Sequence, residues 1–190
     1  MSDLKVVQLK TQKDWEKWLE KNHGQPDGVW LKFAKKASGE TTLNYAEALD
    51  VALCYGWIDS QTKKFDEKFY LQKFSPRRAR SVWSKNNRDK IEKLIVAGKM
   101  RPSGLAQVSA AKADGRWDKA YSSSSNIIVP EDFQAALAKN KPAAKFFETL
   151  SKPNRYAILY RLETTKRSEA RQANIKKYIK MLADGIKFHP

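Results

Sequence analysis

The sequence predicts an α+β protein: a small antiparallel sheet packed with helices, followed by an all-helical C-terminal domain. Three observations carry that prediction. Residues 29–74 hold three stretches with strand character, two of them separated by a run with helical spacing. From Pro130 onward every segment reads as helix, the last with Ile175, Ile179 and Leu182 at i, i+4 and i+7. Between these regions lies Ser122-Ser123-Ser124-Ser125-Asn126, the one low-complexity run, behind which composition shifts. The expected division is therefore 1–125 as an α+β N-terminal domain and 126–190 as a helical C-terminal domain.

In chain order, Trp15, Trp18 and Leu19 at i, i+3 and i+4 make an amphipathic helix with Thr11 as its N-cap, stopped by Gly24 and Pro26-Asp27-Gly28. Val29, Leu31 and Phe33 alternate with Trp30 and Lys32, the pattern of a half-buried strand. Asn44 with Glu47 three residues later resembles a capping box, and Tyr45, Ala48, Leu49, Ala52 and Leu53 follow on one face before Gly56. Residues 57–64 and 68–74 read as a hairpin around Phe65-Asp66-Glu67. Past Pro76 the signal turns helical, over 84–97 and again from Pro102 to Gly115. The short punctuation Asn140-Lys141-Pro142 and Ser151-Lys152-Pro153 implies tight connections in a C-terminal helical bundle.

The 190 residues carry 37 Lys and Arg against 21 Asp and Glu, a formal charge of +16, with six Trp, seven Tyr and eight Phe to build a core. A chain of this size buries roughly 70% of its unfolded surface, which excludes global disorder. Cys54 is the only cysteine, so an internal disulfide and a cysteine-based zinc module are both excluded. No run approaches the ~20 apolar residues of a membrane span, and Met1–Lys10 lacks the apolar stretch of a signal peptide. A cytoplasmic protein without membrane insertion is expected. The charge is segregated: −1 over residues 1–60, +9 over 61–101, +1 over 102–150 and +7 over 151–190. Segregation allows a basic face, although solvated helix surfaces account for it equally well.

The densest polar and aromatic stretch runs from Phe74 to Arg88 and includes Arg77, Arg78, Ser81, Trp83 and Ser84, where a strand gives way to a helix. Helix N-termini attract anions through unpaired amide N–H groups and the positive dipole end, and arginine grips carboxylate or phosphate with two bonds. The alternative is that Ser84 only caps, Trp83 is core, and the arginines face acids or solvent. Upstream, Trp57 and Asp59 share one face of a strand. If Ile58 faces the core, they form an aromatic platform beside a carboxylate; otherwise Asp59 pairs with Arg77, Arg78 or Arg80. Cys54 sits near a helix C-terminus, where the dipole raises a thiol pKa, so a nucleophilic role is disfavoured. His23 and His189 form no Ser-His-Asp or Cys-His unit. No P-loop, Gly-x-Gly-x-x-Gly or His-Glu-x-x-His occurs, and no metal or cofactor is expected.

An ordered set of motifs extends along the chain. Trp15-x-x-Trp18-Leu19, Gly28-x-Trp30, Lys35-Lys36-x-Ser38-Gly39 and Tyr45-x-Glu47-Ala48-x-Asp50 come first, then Cys54-x-Gly56-Trp57-Ile58-Asp59-Ser60. Pro76-Arg77-Arg78-x-x-Ser81-x-Trp83-Ser84-x-x-Asn87, Gly98-Lys99-Met100-x-Pro102-x-Gly104 and Gly115-Arg116-Trp117-x-x-Ala120-Tyr121 follow. Together they resemble the bacterial YdeI/OmpD-associated, or bacteriocin-protection, family, whose helical end domain is similar to the part from about Val129. The resemblance implies a link to bacteriocin or antimicrobial-peptide resistance and to an envelope or porin partner, with no established reaction or catalytic residues. The leading expectation is a non-enzymatic binding protein whose polar-aromatic cleft takes an anionic small molecule. In it Arg77 and Arg78 supply charge, Ser81 and Ser84 donate hydrogen bonds, Trp57 and Trp83 form walls, and Asp59 orients an arginine. A nucleic-acid-binding protein and an enzyme using Asp59 as acid/base are the alternatives.

Overall fold

In the computed structural model, which describes residues 4–189, the Thr11 hydroxyl accepts the Asp14 N–H while the Asp14 carboxylate accepts the Thr11 N–H. This capping box starts α1 (Gln12–Asn22), whose Trp15 and Leu19 are fully buried. Three-residue β1 (Val6–Gln8) precedes it, and β2 (Val29–Ala34) follows with Val29, Leu31 and Phe33 buried as their alternation predicts. Asn44 then caps α2 (Tyr45–Cys54) by accepting the Glu47 N–H. The helix ends at Gly56, whose φ of 78° belongs to the left-handed region that glycine occupies without strain.

The hairpin forms from β3 (Trp57–Lys64) and β4 (Phe69–Pro76), and the Asp66 carboxylate accepts the N–H groups of Lys68 and Phe69 at its turn. The sheet order is β1-β2-β4-β3. The three strands expected from the sequence pair antiparallel, but β1 joins the edge parallel to β2, so the sheet is mixed. On the covered face Trp15 meets Trp57 and Phe74 edge-on, with centroids 6.3 and 5.8 Å apart. Both indoles find a carbonyl: Trp15 donates to Ala48 and Trp57 to His23. Truncating an aromatic in such a cluster costs about 3–5 kcal/mol, so this knot of tryptophans holds the sheet to its helices.

Two helices continue the chain, α3 (Lys85–Val96) and α4 (Pro102–Ala113), the latter with proline in its first turn. Contacts within the chain group into two units. One comprises the chain to Trp83 together with Asn87–Lys119; the other comprises Ser84–Asn86 together with the chain from Ala120. In the second unit the Lys85 N–H donates to the Tyr121 carbonyl, and the Lys85 ammonium donates to Ser122, which in turn donates to Glu163.

The second unit also contains α5 (Glu131–Ala138), α6 (Lys141–Thr149), α7 (Lys152–Thr164) and α8 (Ser168–Ala183). Phe133, Phe147, Ile158, Leu162, Ile175 and Leu182 form its core. Arg171 of α8 grips Asp132 of α5 through two bonds of 2.6 and 2.9 Å, and it also donates to the Leu162 carbonyl. The C-terminal region is thus all-helical, as the sequence predicts.

Candidate functional site

Arg77 leaves β4 with its backbone N–H donating to the Gly56 carbonyl at 3.0 Å. Its side chain turns inward and is 6% exposed, laying the guanidinium 3.5 Å from the centroid of the Trp83 ring. Nη1 donates to the Val82 carbonyl at 3.2 Å. A desolvated cation over tryptophan gains about 2 kcal/mol, enough to favour one conformation of the intervening chain. A second guanidinium acts on the same segment, because Arg116 donates to the Ser81 carbonyl at 3.0 Å while also holding Asp114. Trp83 is buried against Trp117, with centroids 5.0 Å apart. The loop between Arg77 and Trp83 is thereby pinned through its carbonyls, and Arg78 and Arg80 stand exposed on it.

The other expected site residues have different surroundings. Trp57 is 1% exposed and belongs to the tryptophan knot, so it cannot wall an open cleft. Trp83 is equally buried and serves as the platform for Arg77. Asp59, half-buried, accepts the Tyr45 hydroxyl at 2.8 Å. Burial and the Asp59 carboxylate together push the Tyr45 phenol well above its ordinary value. Ser81 is half-buried on the pinned loop beside Arg78. Ser84 groups with the second unit, where it bridges to Tyr121. Arg77, Arg78, Ser81 and Trp83 are therefore brought into one loop, whereas Trp57 and Asp59 are engaged elsewhere.

Cys54 is buried, and its thiol is pushed up to about 11, chiefly by burial and then by the charges of Asp50 and Glu16. At neutral pH it is protonated and a poor nucleophile. Among the described residues, no group of three or more His, Cys, Asp or Glu side chains is placed to hold a metal ion.

The sequence reading missed a cleft of about 280 Å³ lined by Glu20, His23, Tyr55, Arg101, Pro102 and Ser103. It lies where α1 and α2 end and α4 begins. Two glycines permit that meeting. A Cβ at Gly104 would stand 2.1 Å from the Cys54 carbonyl oxygen, and one at Gly56 would stand 3.1 Å from the Ser103 carbonyl oxygen. The Arg101 N–H donates to the Cys54 carbonyl and the Ser103 hydroxyl to the Tyr55 carbonyl, so backbone as well as side chains define the cleft. The available sequence signals were Gly56, Pro102 and Gly104, which mark helix ends; nothing local says that these ends converge.

Residues 7–107, just over half the chain, match the family described as a domain of unknown function, DUF8412. The chain belongs to that family. Residues 126–185 match the family described as Bacteriocin-protection, YdeI or OmpD-Associated. A DUF8412 region is thus joined to a YdeI/OmpD-associated domain. That second match establishes the family resemblance in the helical C-terminal part, while most motifs that prompted it lie in the DUF8412 region. No curated protein and no solved structure matches the chain.

Proposed function

We propose that this DUF8412 and YdeI/OmpD-associated protein is a cytoplasmic, non-enzymatic binding protein of bacteriocin or antimicrobial-peptide resistance, taking an anionic ligand on the loop of Arg78 and Arg80. The observation that carries this reading is the pinned loop. Arg77 and Arg116 hold its carbonyls from beneath, while Arg78 and Arg80 remain exposed. A rigid support spares the ligand the cost of ordering the loop, and a guanidinium fork suits phosphate or carboxylate. Arg77 and Trp83 are the support in this scheme, and Ser81 supplies a hydroxyl beside the cations. The resistance role, and any envelope or porin partner, rest on the family description alone.

Titration of the parent and of an Arg78→Ala, Arg80→Ala double variant with inorganic pyrophosphate tests the reading. Binding by the parent, weakened about tenfold or more in the variant and reduced by salt, is expected. Equal responses in the two proteins would remove the anion site. A single-stranded oligonucleotide serves as the competing probe. The nucleic-acid alternative gains little support from this loop, because sequence-tolerant binding of single strands draws on aromatic faces open to stacking, and Trp57 and Trp83 are both buried. The enzyme alternative meets a carboxylate already engaged by Tyr45.

A further inference from the structure

The cleft at the ends of α1, α2 and α4 holds groups that the arginine loop does not use. Tyr55 lines it and is 4% exposed, and its buried hydroxyl, faced by the Arg101 guanidinium as a donor, has no acceptor for its own proton among the described residues. A buried hydroxyl left this way costs stability, and a bound ligand that supplies an acceptor removes the cost. The Arg101 guanidinium lies 5.7 Å from the centroid of the Tyr55 ring. It also reaches Glu20 at 3.8 Å, a loose ion pair between side chains that are each about half exposed.

The lining is amphoteric. Its donors are Arg101, the Tyr55 hydroxyl and the first turn of α4, which has no side-chain cap on its amide N–H groups. These suit a carboxylate, which accepts from a guanidinium, a phenol and helix N-terminal amides. Its acceptors are Glu20, His23 and the C-terminal end of α1. The His23 Nδ1 lies 2.9 Å from the Leu19 carbonyl oxygen. A carbonyl only accepts, so Nδ1 carries the hydrogen, and the tautomer this selects has Nε2 as its acceptor. Glutamate, an imidazole lone pair and a negative helix end suit an ammonium group. We propose that this cleft binds a free α-amino acid as its zwitterion, the carboxylate on Arg101 and Tyr55 and the ammonium on Glu20 and His23. The volume of about 280 Å³ is at the small end for ligand pockets and fits a molecule of that size. The Glu20–Arg101 pair supplies one charge of each sign, the complement of a zwitterion's two charges. The Ser103 hydroxyl is fixed by its bond to the Tyr55 carbonyl and keeps lone pairs for the ammonium.

The experiment is a titration of the ¹⁵N-labelled full chain with each of the common free L-amino acids, followed by the N-acetyl and C-amide derivatives of any that binds. Saturable shifts around Tyr55 and Arg101 below about 10 mM are expected, and either block weakens binding about tenfold or more. Tyr55→Phe removes a hydroxyl whose proton has no acceptor and that meets only the exposed Arg101; it is expected to fold and to weaken binding by a similar factor. Arg101→Gln, at an exposed position, provides the same readout should Tyr55→Phe fail to fold. The assignment is overturned if no amino acid gives saturable shifts, or if Arg101→Gln binds as the parent does. A blocked derivative that binds as well as the free amino acid would also overturn it, since recognition would then be of a peptide end.

Discussion

Arg77 shows how far one side chain's role depends on burial. Truncation to alanine removes the stack on Trp83 and the bond to Val82, and the expected loss of stability is about 3 kcal/mol. Lysine does not rescue it, because an ammonium is compact and strongly hydrated where the site receives a planar fork. Urea unfolding followed by tryptophan fluorescence reads both variants, and an Arg77→Ala loss within about 0.5 kcal/mol would mean that the guanidinium supports nothing. The sequence shows that arginine, serine and tryptophan cluster after Pro76; it does not show which of them face inward. Trp57 and Asp59 make the same point. Alternation places them on one side of β3, and they do meet α1 and α2 respectively. The side they share is the covered one, and a single strand carries no signal that distinguishes it from the open one. Tyr55, His23 and Arg101 were harder still, since each is ordinary in its own segment and the cleft exists only through tertiary approach.

At the level of elements, legibility follows local chemistry. The Thr11 and Asn44 caps, the hairpin turn at Asp66 and the prolines that open α4, α6 and α7 are all written in a few neighbouring residues, and the corresponding elements form where expected. In β1 only three residues pair, with Val6 exposed, and its parallel partner is more than twenty positions away, so neither periodicity nor turn residues announce it. The tie between α5 and α8 is likewise absent from any local pattern, and it has a pH signature. Bonding to Arg171 holds the Asp132 carboxyl below its ordinary value. A carboxyl depressed in the folded state contributes stability that is fully present above the unfolded value of about 4, and that contribution is lost as pH falls through the folded value. Acidification below pH ~4 is therefore expected to loosen the C-terminal unit in the parent. Asp132→Asn should be less stable at neutral pH and show a shallower acid dependence, read from the methyl signals of Ile158 and Ile175. An identical acid slope in both proteins would show that the pair does not contribute.

Across the whole chain, charge is a poor guide to organisation and burial a better one. The +9 of residues 61–101 and the +7 of residues 151–190 give both units a basic character without distinguishing them. Their cores are distinct in composition. All six tryptophans, at positions 15, 18, 30, 57, 83 and 117, belong to the first unit, whereas the second is packed with phenylalanine, leucine, isoleucine and Tyr178. Tryptophan fluorescence therefore reports on the first unit alone, and hydrogen exchange of the 126–185 segment reports on the second. Gly104 offers a perturbation confined to one of them. Its absent side chain lets α4 rest directly on the end of α2, and an added Cβ would meet backbone atoms of Cys54 and Leu53 at 2.1, 2.8 and 3.0 Å. Backbone cannot rotate aside as a flexible side chain does, so α4 must shift, at an expected cost of about 3 kcal/mol. Gly104→Ala is predicted to lower the urea midpoint seen by tryptophan fluorescence and to leave protection across α5–α8 unchanged. If protection in α5–α8 falls by the same free energy, the two cores unfold as one cooperative body, and each unit's stability would have to be assigned to the chain as a whole.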